Sequence, residues 1–210
     1  MIAFFTTASF VFAQQGSPAE QGSSDPIKIM AFPNGLFKFR QGKLNGSVNL
    51  QGDIAGCTTG TYDGSDPKSK PSGGAASTRV IDQIRKGKFS YTVFQTVLGS
   101  GCNVQGMCGA GSAVSVVWLK LDAKLKVISR KAVIVVECLT NTGLSKWAGR
   151  TGNDVMDSTD PKLRMVAGKL EIEFKRDDFS TKQTTISSLK YDRKSPEKGL
   201  LVSSKTFPIK

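Results

Sequence analysis

Residues 43–54 alternate strictly between two kinds of side chain, and no other feature of the chain constrains its fold as much. The odd positions are all polar, whereas the even positions are Leu44, Gly46, Val48, Leu50, Gly52 and Ile54. A period of two residues is typical of a β-strand with one buried and one solvated face. We therefore predict one continuous strand over 43–54, without a turn at Asn45-Gly46. The glycines on its inner side indicate a bend or a close backbone approach.

Strand patterns recur along the chain. Phe37 and Phe39 alternate with Lys38 and Arg40 and lead through Gln41-Gly42 into the long strand, which predicts a hairpin. Further strands are predicted over 89–98, 113–121, 125–139, 169–175, 184–191 and 200–207. Residues 113–121 are apolar on both faces, as expected of a central strand. The fold class predicted is mainly β, an antiparallel sandwich or barrel of about eight to ten strands.

One short helix and two loops are expected between these strands. Residues 78–86 place Val80, Ile81 and Ile84 on one side and end at Gly87, which favours a helix, with a strand as the alternative. Residues 58–77 contain Gly, Pro, Ser and Asp without any apolar period, so we predict a long surface loop. A second loop is expected over 140–161, with a helical turn around Trp147.

The first residues predict export. Residues 1–13 are apolar and uncharged, end in Val11-Phe12-Ala13 and are followed by a polar stretch. This pattern is typical of a signal peptide and is too short to cross a bilayer. We therefore expect a signal peptide at 1–13, a disordered polar tether at 14–26 and a single β-rich domain over 27–210. The expected location is secreted or periplasmic, and no transmembrane segment is predicted.

Export would place the four cysteines in oxidising surroundings, where disulfides form. Cys102 and Cys108 lie in a glycine-rich loop, and five residues separate them, which matches neither the redox C-x-x-C spacing nor the usual zinc pairs. Four cysteines allow three connectivities. Among these we predict that Cys102 pairs with Cys108 and Cys57 with Cys138.

The net charge of +12 comes from 29 Lys and Arg against 17 Asp and Glu. Residues 14–78 carry six basic and five acidic residues, residues 79–138 nine and three, and residues 139–210 fourteen and nine. The excess in 79–210 favours anionic polymers or surfaces as partners, contacted by the pairs Arg85-Lys86 and Arg193-Lys194. Clustered cations interleaved with stacking aromatics, which would indicate nucleic acid, are not seen.

The chain contains no histidine, which excludes imidazole-based catalysis and imidazole metal sites. Carboxylates are then the remaining acid–base candidates. Glu137 ends an apolar strand, where partial burial would raise its pKa; a solvated or ion-paired residue is the alternative. Asp154, Asp157 and Asp160 form an acidic loop with oxygen ligands that suit calcium, but their spacing is not that of an EF-hand. We expect no cofactor.

Three functions remain open. The favoured one is an exported, disulfide-containing β-domain with a non-enzymatic binding or structural role outside the cytoplasm, directed at anionic partners. The first alternative is a small barrel that carries an apolar ligand, for which Gly46 and Gly52 on an inner face would leave room. The second is a carboxylate-based glycan hydrolase in which Glu137 acts, and this class requires a second carboxylate across a cleft.

Overall fold

The computed structural model describes residues 25–32, 35–50, 52–54, 77–99, 112–138, 140–147, 150–151 and 161–209. Within these ranges the chain forms twelve strands and one 3₁₀ turn, Pro196–Lys198. The strands are β1 Lys28–Ala31, β2 Leu36–Gln41, β3 Leu44–Asn49, β4 Ser77–Lys86, β5 Phe89–Gly99, β6 Ser112–Leu121, β7 Val127–Val136, β8 Thr142–Trp147, β9 Arg150–Thr151, β10 Lys169–Asp178, β11 Gln183–Asp192 and β12 Leu201–Pro208.

The strands form three antiparallel sheets. The front sheet has the order β1-β2-β3, the middle sheet β4-β5-β6-β7 and the back sheet β12-β11-β10-β8-β9. Neighbouring strands are mostly consecutive in sequence and are joined by tight turns such as Gly42-Lys43 and Gly87-Lys88. Gly42 and Gly87 have φ values of 57° and 61°, a conformation that glycine adopts without strain.

The middle sheet is covered on both sides. Residues 91–96 of β5 and 113–119 of β6 are all buried, as expected of central strands with apolar residues on both faces. On one side their side chains pack against Phe37, Phe39, Leu50 and Ile54 of the front sheet and its following turn. On the other side they pack against the back sheet, mainly Leu144, Trp147, Leu170, Ile172, Leu189 and Tyr191. The described part of the chain is therefore a three-layer β-sandwich with two cores.

The prediction of a mainly β, antiparallel fold is confirmed. The hairpin of β2 and β3 turns at the predicted position, with Phe37 and Phe39 buried. Strand β10 alternates as expected, with Leu170, Ile172 and Phe174 buried. Twelve strands are described instead of eight to ten: β1 has no counterpart among the predicted strands, and β4, β8 and β9 occupy segments predicted to be a helix and a loop.

The helix predicted over 78–86 is wrong, since Ser77–Lys86 is strand β4. The pairing of β4 with β5 shifts between Val80 and Asp82, so that Ile81 is an extra residue in the ladder. Ile81 and Ile84 consequently pack against the same core although they are three residues apart. The bulge thus produces the apolar spacing of a helix in a strand.

The continuous strand predicted over 43–54 is too long. Strand β3 ends at Asn49, the Leu50 amide donates to the Gly35 carbonyl at 2.8 Å, and Gly52 turns the chain with φ 85°. Leu50 and Ile54 are nevertheless fully buried. Val48 is also buried, but Leu44 at the start of the strand is 39% exposed. The apolar pattern therefore identified three of the four apolar side chains as buried, and it did not identify the end of the strand.

Other predictions have mixed outcomes. The helical turn expected around Trp147 is wrong, because Thr142–Trp147 is strand β8 and Trp147 is buried in the back core. The apolar pattern of 125–139 breaks phase near Ser129–Lys131, which predicts a bulge or two shorter strands; the segment is one strand, β7, whose register shifts at Ile128 and at Val135. Residues 1–13, the tether as far as residue 24 and loop residues 58–76 lie outside the described residues.

Candidate anion-binding face

The outer surface of the front sheet carries a group of cations. Strands β1 and β2 point Phe37, Phe39 and Ile29 towards the middle sheet, so their intervening residues point to solvent. We call Lys28, Lys38, Arg40 and Lys43, which are all exposed, the basic face. The alternation that builds the front core therefore also places Lys28, Lys38 and Arg40 on one surface, and Lys43 follows in the turn between β2 and β3.

The cations of the basic face lie close to one another. Lys28 is directly opposite Arg40, and Met30 is directly opposite Lys38. Side chains in directly opposite positions have Cβ atoms about 4.5–5.5 Å apart, and like charges there are destabilising. Lys38 and Arg40 follow each other on one side of β2, about 7 Å apart along the strand. Positive charge is thus concentrated on a few neighbouring strand positions.

No carboxylate of the described residues forms an ion pair with the basic face. Lys38 Nζ lies 4.7 Å from the centre of the Phe32 ring, and Arg40 Nε donates to the Gly42 carbonyl at 3.4 Å. The residues that face these cations from β3 are Asn45, Ser47 and Asn49. These side chains carry no charge, so β3 supplies no counter-charge to the face; Asp25, whose carbonyl accepts from Gln41 Nε2 at 2.6 Å, lies at its edge.

The close approach predicted at Gly46 holds the front sheet in place. A Cβ atom at Gly46 would overlap the carbonyl oxygen of Leu125 and would lie 3.1 Å from the Leu125 Cβ. Gly46 pairs with Phe39, one position along β2 from both Lys38 and Arg40. Strand β3 therefore packs directly against the turn between β6 and β7 that contains Leu125, and it pairs with β2, the strand that carries the two cations.

A shallow cavity of about 530 Å³ adjoins the basic face, and Lys28 and Arg40 contribute to its lining. Its apolar wall includes Met30 and Val80, both 43% exposed. The Gln83 side chain closes one side, since it donates to the Ile27 carbonyl at 2.6 Å and accepts from the Ile27 amide at 3.0 Å. Cations and exposed apolar groups thus lie side by side.

Arg130 lies on β7 beside the front sheet, and its charge is compensated. Its guanidinium pairs with Asp53 at 3.0 Å and donates to the Asn49 carbonyl at 2.9 Å. This contact links the edge of the front sheet to the middle sheet. Arg130 therefore contributes less than the basic face to any field that an anion would meet.

The four cations predicted to contact anions lie elsewhere. Lys86 pairs with Glu197 at 2.9 Å, and Arg193 Nε lies 3.4 Å from Asp82 Oδ1. The hydrogen bond from Lys86 lowers the pKa of Glu197. Arg85 and Lys194 are exposed. The structure therefore brings Lys86 and Arg193 to the same end of the sandwich, where each faces a carboxylate.

Glu137 is more buried than the solvated alternative implied. It is 4% exposed, its backbone bridges to Thr142, and Thr140 Oγ1 donates to Glu137 Oε2 at 2.9 Å. This arrangement ties the end of β7 to the start of β8. The carboxylate has a clear structural role at the corner between the middle and back sheets.

Two further carboxylates, Glu171 and Glu173, lie in a groove of about 540 Å³ on the outer side of the back sheet. The remaining charged residues of this groove are Lys146, Arg164, Lys169 and Lys190. Glu171 lies opposite Lys190 on β11, and Glu173 accepts from Ser145 Oγ at 2.9 Å. Here the cations alternate with carboxylates, in contrast to the basic face.

The remaining predicted sites are only partly covered by the structure. Cys138 is exposed and disulfide-bonded. Cys57, Cys102 and Cys108 lie outside the described residues, so the predicted pairing stays a prediction. The calcium candidates Asp154, Asp157 and Asp160 also lie outside them. Among the residues that are described, no group of three or more Cys, Asp or Glu side chains is placed to hold a metal ion.

The basic face was missed because charge was counted over long stretches. The stretch 14–78 is nearly balanced, but four of its six cations fall between residues 28 and 43, where no acidic residue occurs. A count over 26–50, combined with the predicted β2–β3 hairpin, would have found the cluster. The position of Lys28 opposite Arg40 could be found only from the structure, because it depends on the pairing of β1 with β2.

Comparison with protein-family models, with curated proteins and with solved structures finds no match to this chain. In the ranges that the structure covers, no helix is long and apolar enough to cross a membrane.

Proposed function

We propose that this chain is an exported, disulfide-containing β-domain with a non-enzymatic role, which binds anionic polymers or surfaces through its basic face. The single observation that carries the proposal is the direct opposition of Lys28 and Arg40, with Lys38 beside them and no paired carboxylate in the described residues. Like charges in opposite strand positions repel each other. A bound anion relieves that repulsion, so the arrangement favours anionic partners.

The net charge of +12 supports the same proposal. A strongly positive chain attracts polyanions over distances of about one Debye length, roughly 10 Å at 0.1 M salt. Long-range attraction brings the polyanion to the protein, and the basic face then provides the contact. Because exposed charges are screened by salt, we expect binding to weaken steeply by about 0.3 M NaCl.

The test is the affinity for dextran sulfate at 50 mM and 300 mM NaCl, with uncharged dextran as the probe control. Reversing Lys38 and Arg40 together removes two attractions and adds two repulsions. At about 0.5 kcal/mol for each exposed contact, the loss is about 2 kcal/mol, or about thirtyfold in affinity at low salt. We expect Lys38→Glu/Arg40→Glu to show this loss and to retain the fold by circular dichroism.

The matched control is Arg176→Glu/Lys182→Glu, which changes the net charge equally at exposed positions of β10 and of the turn before β11. We expect the control to lose much less affinity than the basic-face variant. Equal losses in the two variants would mean that total charge matters and the basic face does not, which would refute the site.

The two alternatives are separated by other outcomes. Gly46, which would have left room in a carrier, faces the backbone of Leu125 instead of an open lumen. Salt-insensitive, saturable uptake of an apolar ligand would nevertheless replace our proposal with the carrier. Turnover of a glycan that is lost in Glu137→Gln with the fold intact would replace it with the hydrolase.

A further inference from the structure

Strand β12 is an exposed edge of the back sheet. It pairs with β11 on one side, and among the described strands it is the terminal one of its sheet. All eight residues of Leu201–Pro208 are exposed, including Leu201 at 54%, Val202 at 40% and Phe207 at 45%. An edge strand of this length offers a row of backbone groups to another strand.

The hydrogen bonds of β12 reveal which backbone groups are open. The Ile209 amide donates to the Lys182 carbonyl at 2.9 Å, in register with the β11–β12 pairs. In an antiparallel ladder, hydrogen-bonded and non-hydrogen-bonded pairs alternate. The odd residues of β12 therefore bond to β11, and the even residues point their amides and carbonyls away from it.

The side chains agree with this assignment. Ser204 Oγ lies 2.8 Å from Ser187 Oγ, and Thr206 Oγ1 lies 3.1 Å from Thr185 Oγ1. Such close side-chain contacts are typical of the non-hydrogen-bonded pairs. The amides of Val202, Ser204 and Thr206 thus face the open edge, and Pro208 has no amide hydrogen to offer there.

We propose that this edge pairs with β12 of a second copy of the chain, antiparallel and with Ser204 opposite Ser204. In this register Val202 faces Thr206 of the second copy, so the three open amides of each chain all find carbonyl partners. A two-fold axis through the Ser204 pair makes the contact self-complementary and closed. The two back sheets then form one continuous sheet, which is a form of strand addition.

The side chains select this register over its neighbours. With Ser204 opposite itself, Leu201 lies opposite Phe207 twice on the outer face, and Lys205 lies opposite Ser203. A shift that puts Lys205 opposite itself would oppose like charges and would place Pro208 against Val202. The opposite shift would put Leu201 against Lys205 and would lose the apolar pairs.

A lysine and a proline also occur on edge strands that are protected from pairing. In β12 the Lys205 side chain lies on the outer face beside Ile186, and Pro208 lies at the end of the strand. Neither residue blocks the register with Ser204 opposite itself.

The contact is small, and we therefore expect a dimer that forms reversibly with rising protein concentration. It does not depend on the basic face, which is on the other outer sheet.

The first test is analytical ultracentrifugation of the full chain at protein concentrations from about 1 µM to about 1 mM, the range in which weak interfaces associate. We expect the average mass to rise from the monomer towards twice that value. Thr206→Pro removes an amide hydrogen that faces the open edge and should abolish the rise. Thr206→Val loses the same hydroxyl but keeps the amide, and it should still dimerise. A full chain that stays monomeric throughout, or equal behaviour of the two variants, would overturn the proposal.

The second test traps the register by oxidation under mild conditions. Ser204→Cys places two sulfurs across the two-fold axis at a Cα separation of about 5.5 Å, which a disulfide can span. Ser203→Cys places them diagonally and farther apart. We expect a covalent dimer from Ser204→Cys and little from Ser203→Cys. Preferential trapping through Ser203→Cys would overturn the proposed register.

Discussion

The contact between Tyr191 and Asp82 joins the middle and back sheets, and Tyr191→Phe tests how much it stabilises the sandwich. Tyr191 Oη donates to Asp82 Oδ2 at 3.0 Å, and the two residues are only 2% and 6% exposed. The substitution removes the hydroxyl without opening a cavity of the size of a side chain. It leaves a buried carboxylate oxygen without its phenol donor.

The surroundings of the two side chains determine how much stability Tyr191→Phe should remove. A hydrogen bond to a charged group contributes about 1.5–3 kcal/mol. The remaining partner, Arg193, lies 3.4 Å away and its side chain is 54% exposed, so its ion pair contributes at most about 1 kcal/mol. We therefore expect Tyr191→Phe to lower the free energy of unfolding by about 2 kcal/mol, which corresponds to about 4–8 °C in the melting temperature.

The assay is urea unfolding at pH 7, with Tyr91→Phe as the matched control. Tyr91 is also buried, and its ring lies 6.2 Å from that of Trp118. We expect this control to lose less than about 1 kcal/mol, since no buried carboxylate depends on it. Equal losses in the two variants would refute the argument that the hydroxyl matters because it satisfies Asp82.

The same contact predicts a change with pH. Burial, and then the Asp82 carboxylate, raise the pKa of Tyr191. The unfolded chain releases this phenol proton near pH 10, whereas the folded chain retains it, so stability must fall as the pH rises above about 10. Tyr191→Phe should show a smaller fall in the urea midpoint between pH 10 and 11 than the parent chain. An unchanged slope would contradict this assignment.

Two further predictions address single positions. Gly46→Ala should lower the free energy of unfolding by about 1–3 kcal/mol or more, because the added Cβ would overlap the Leu125 carbonyl. The control Ser47→Ala, on the solvated side of β3, should change the free energy of unfolding by less than about 0.5 kcal/mol. Equal urea midpoints of the two variants would refute the close approach. Hydrogen bonds from Ser180 and Thr181 lower the pKa of Asp178 to about 2, so its contribution to stability is present above about pH 4 and is lost as the pH falls towards 2. Asp178→Asn should therefore reduce the acid dependence of the urea midpoint between pH 4 and 2, and an unchanged dependence would contradict the assignment.

Local patterns predicted the strands that lie in regular ladders. The alternation of Leu170, Ile172 and Phe174 and the two apolar faces of 113–121 correspond directly to β10 and β6. These patterns depend only on which face of each strand is buried, and the alternation of apolar and polar residues with a period of two shows this directly. The order of the three sheets and the middle position of β4–β7 depend on contacts between distant segments, which periodicity does not contain.

The predictions failed where the ladder is irregular. A bulge at Ile81 gave β4 an apolar spacing that resembles a helix, and the turn at Gly52 ended β3 although burial continued to Ile54. Similarly, the hairpin predicted that Lys38 and Arg40 share a face, but only the pairing of β1 with β2 brings Lys28 opposite Arg40. The strongest part of the candidate site thus arises from strand pairing.

The most direct measurement of the central claim is a backbone amide NMR titration of the chain with a short dextran sulfate at low salt. We predict that the largest shift changes fall on β1, on β2 and on the Gly42-Lys43 turn, and that they disappear by about 0.3 M NaCl as the charges are screened. Changes confined to Arg85-Lys86 and to the turn at 193–199, or changes spread evenly over all three sheets, would contradict binding at the basic face.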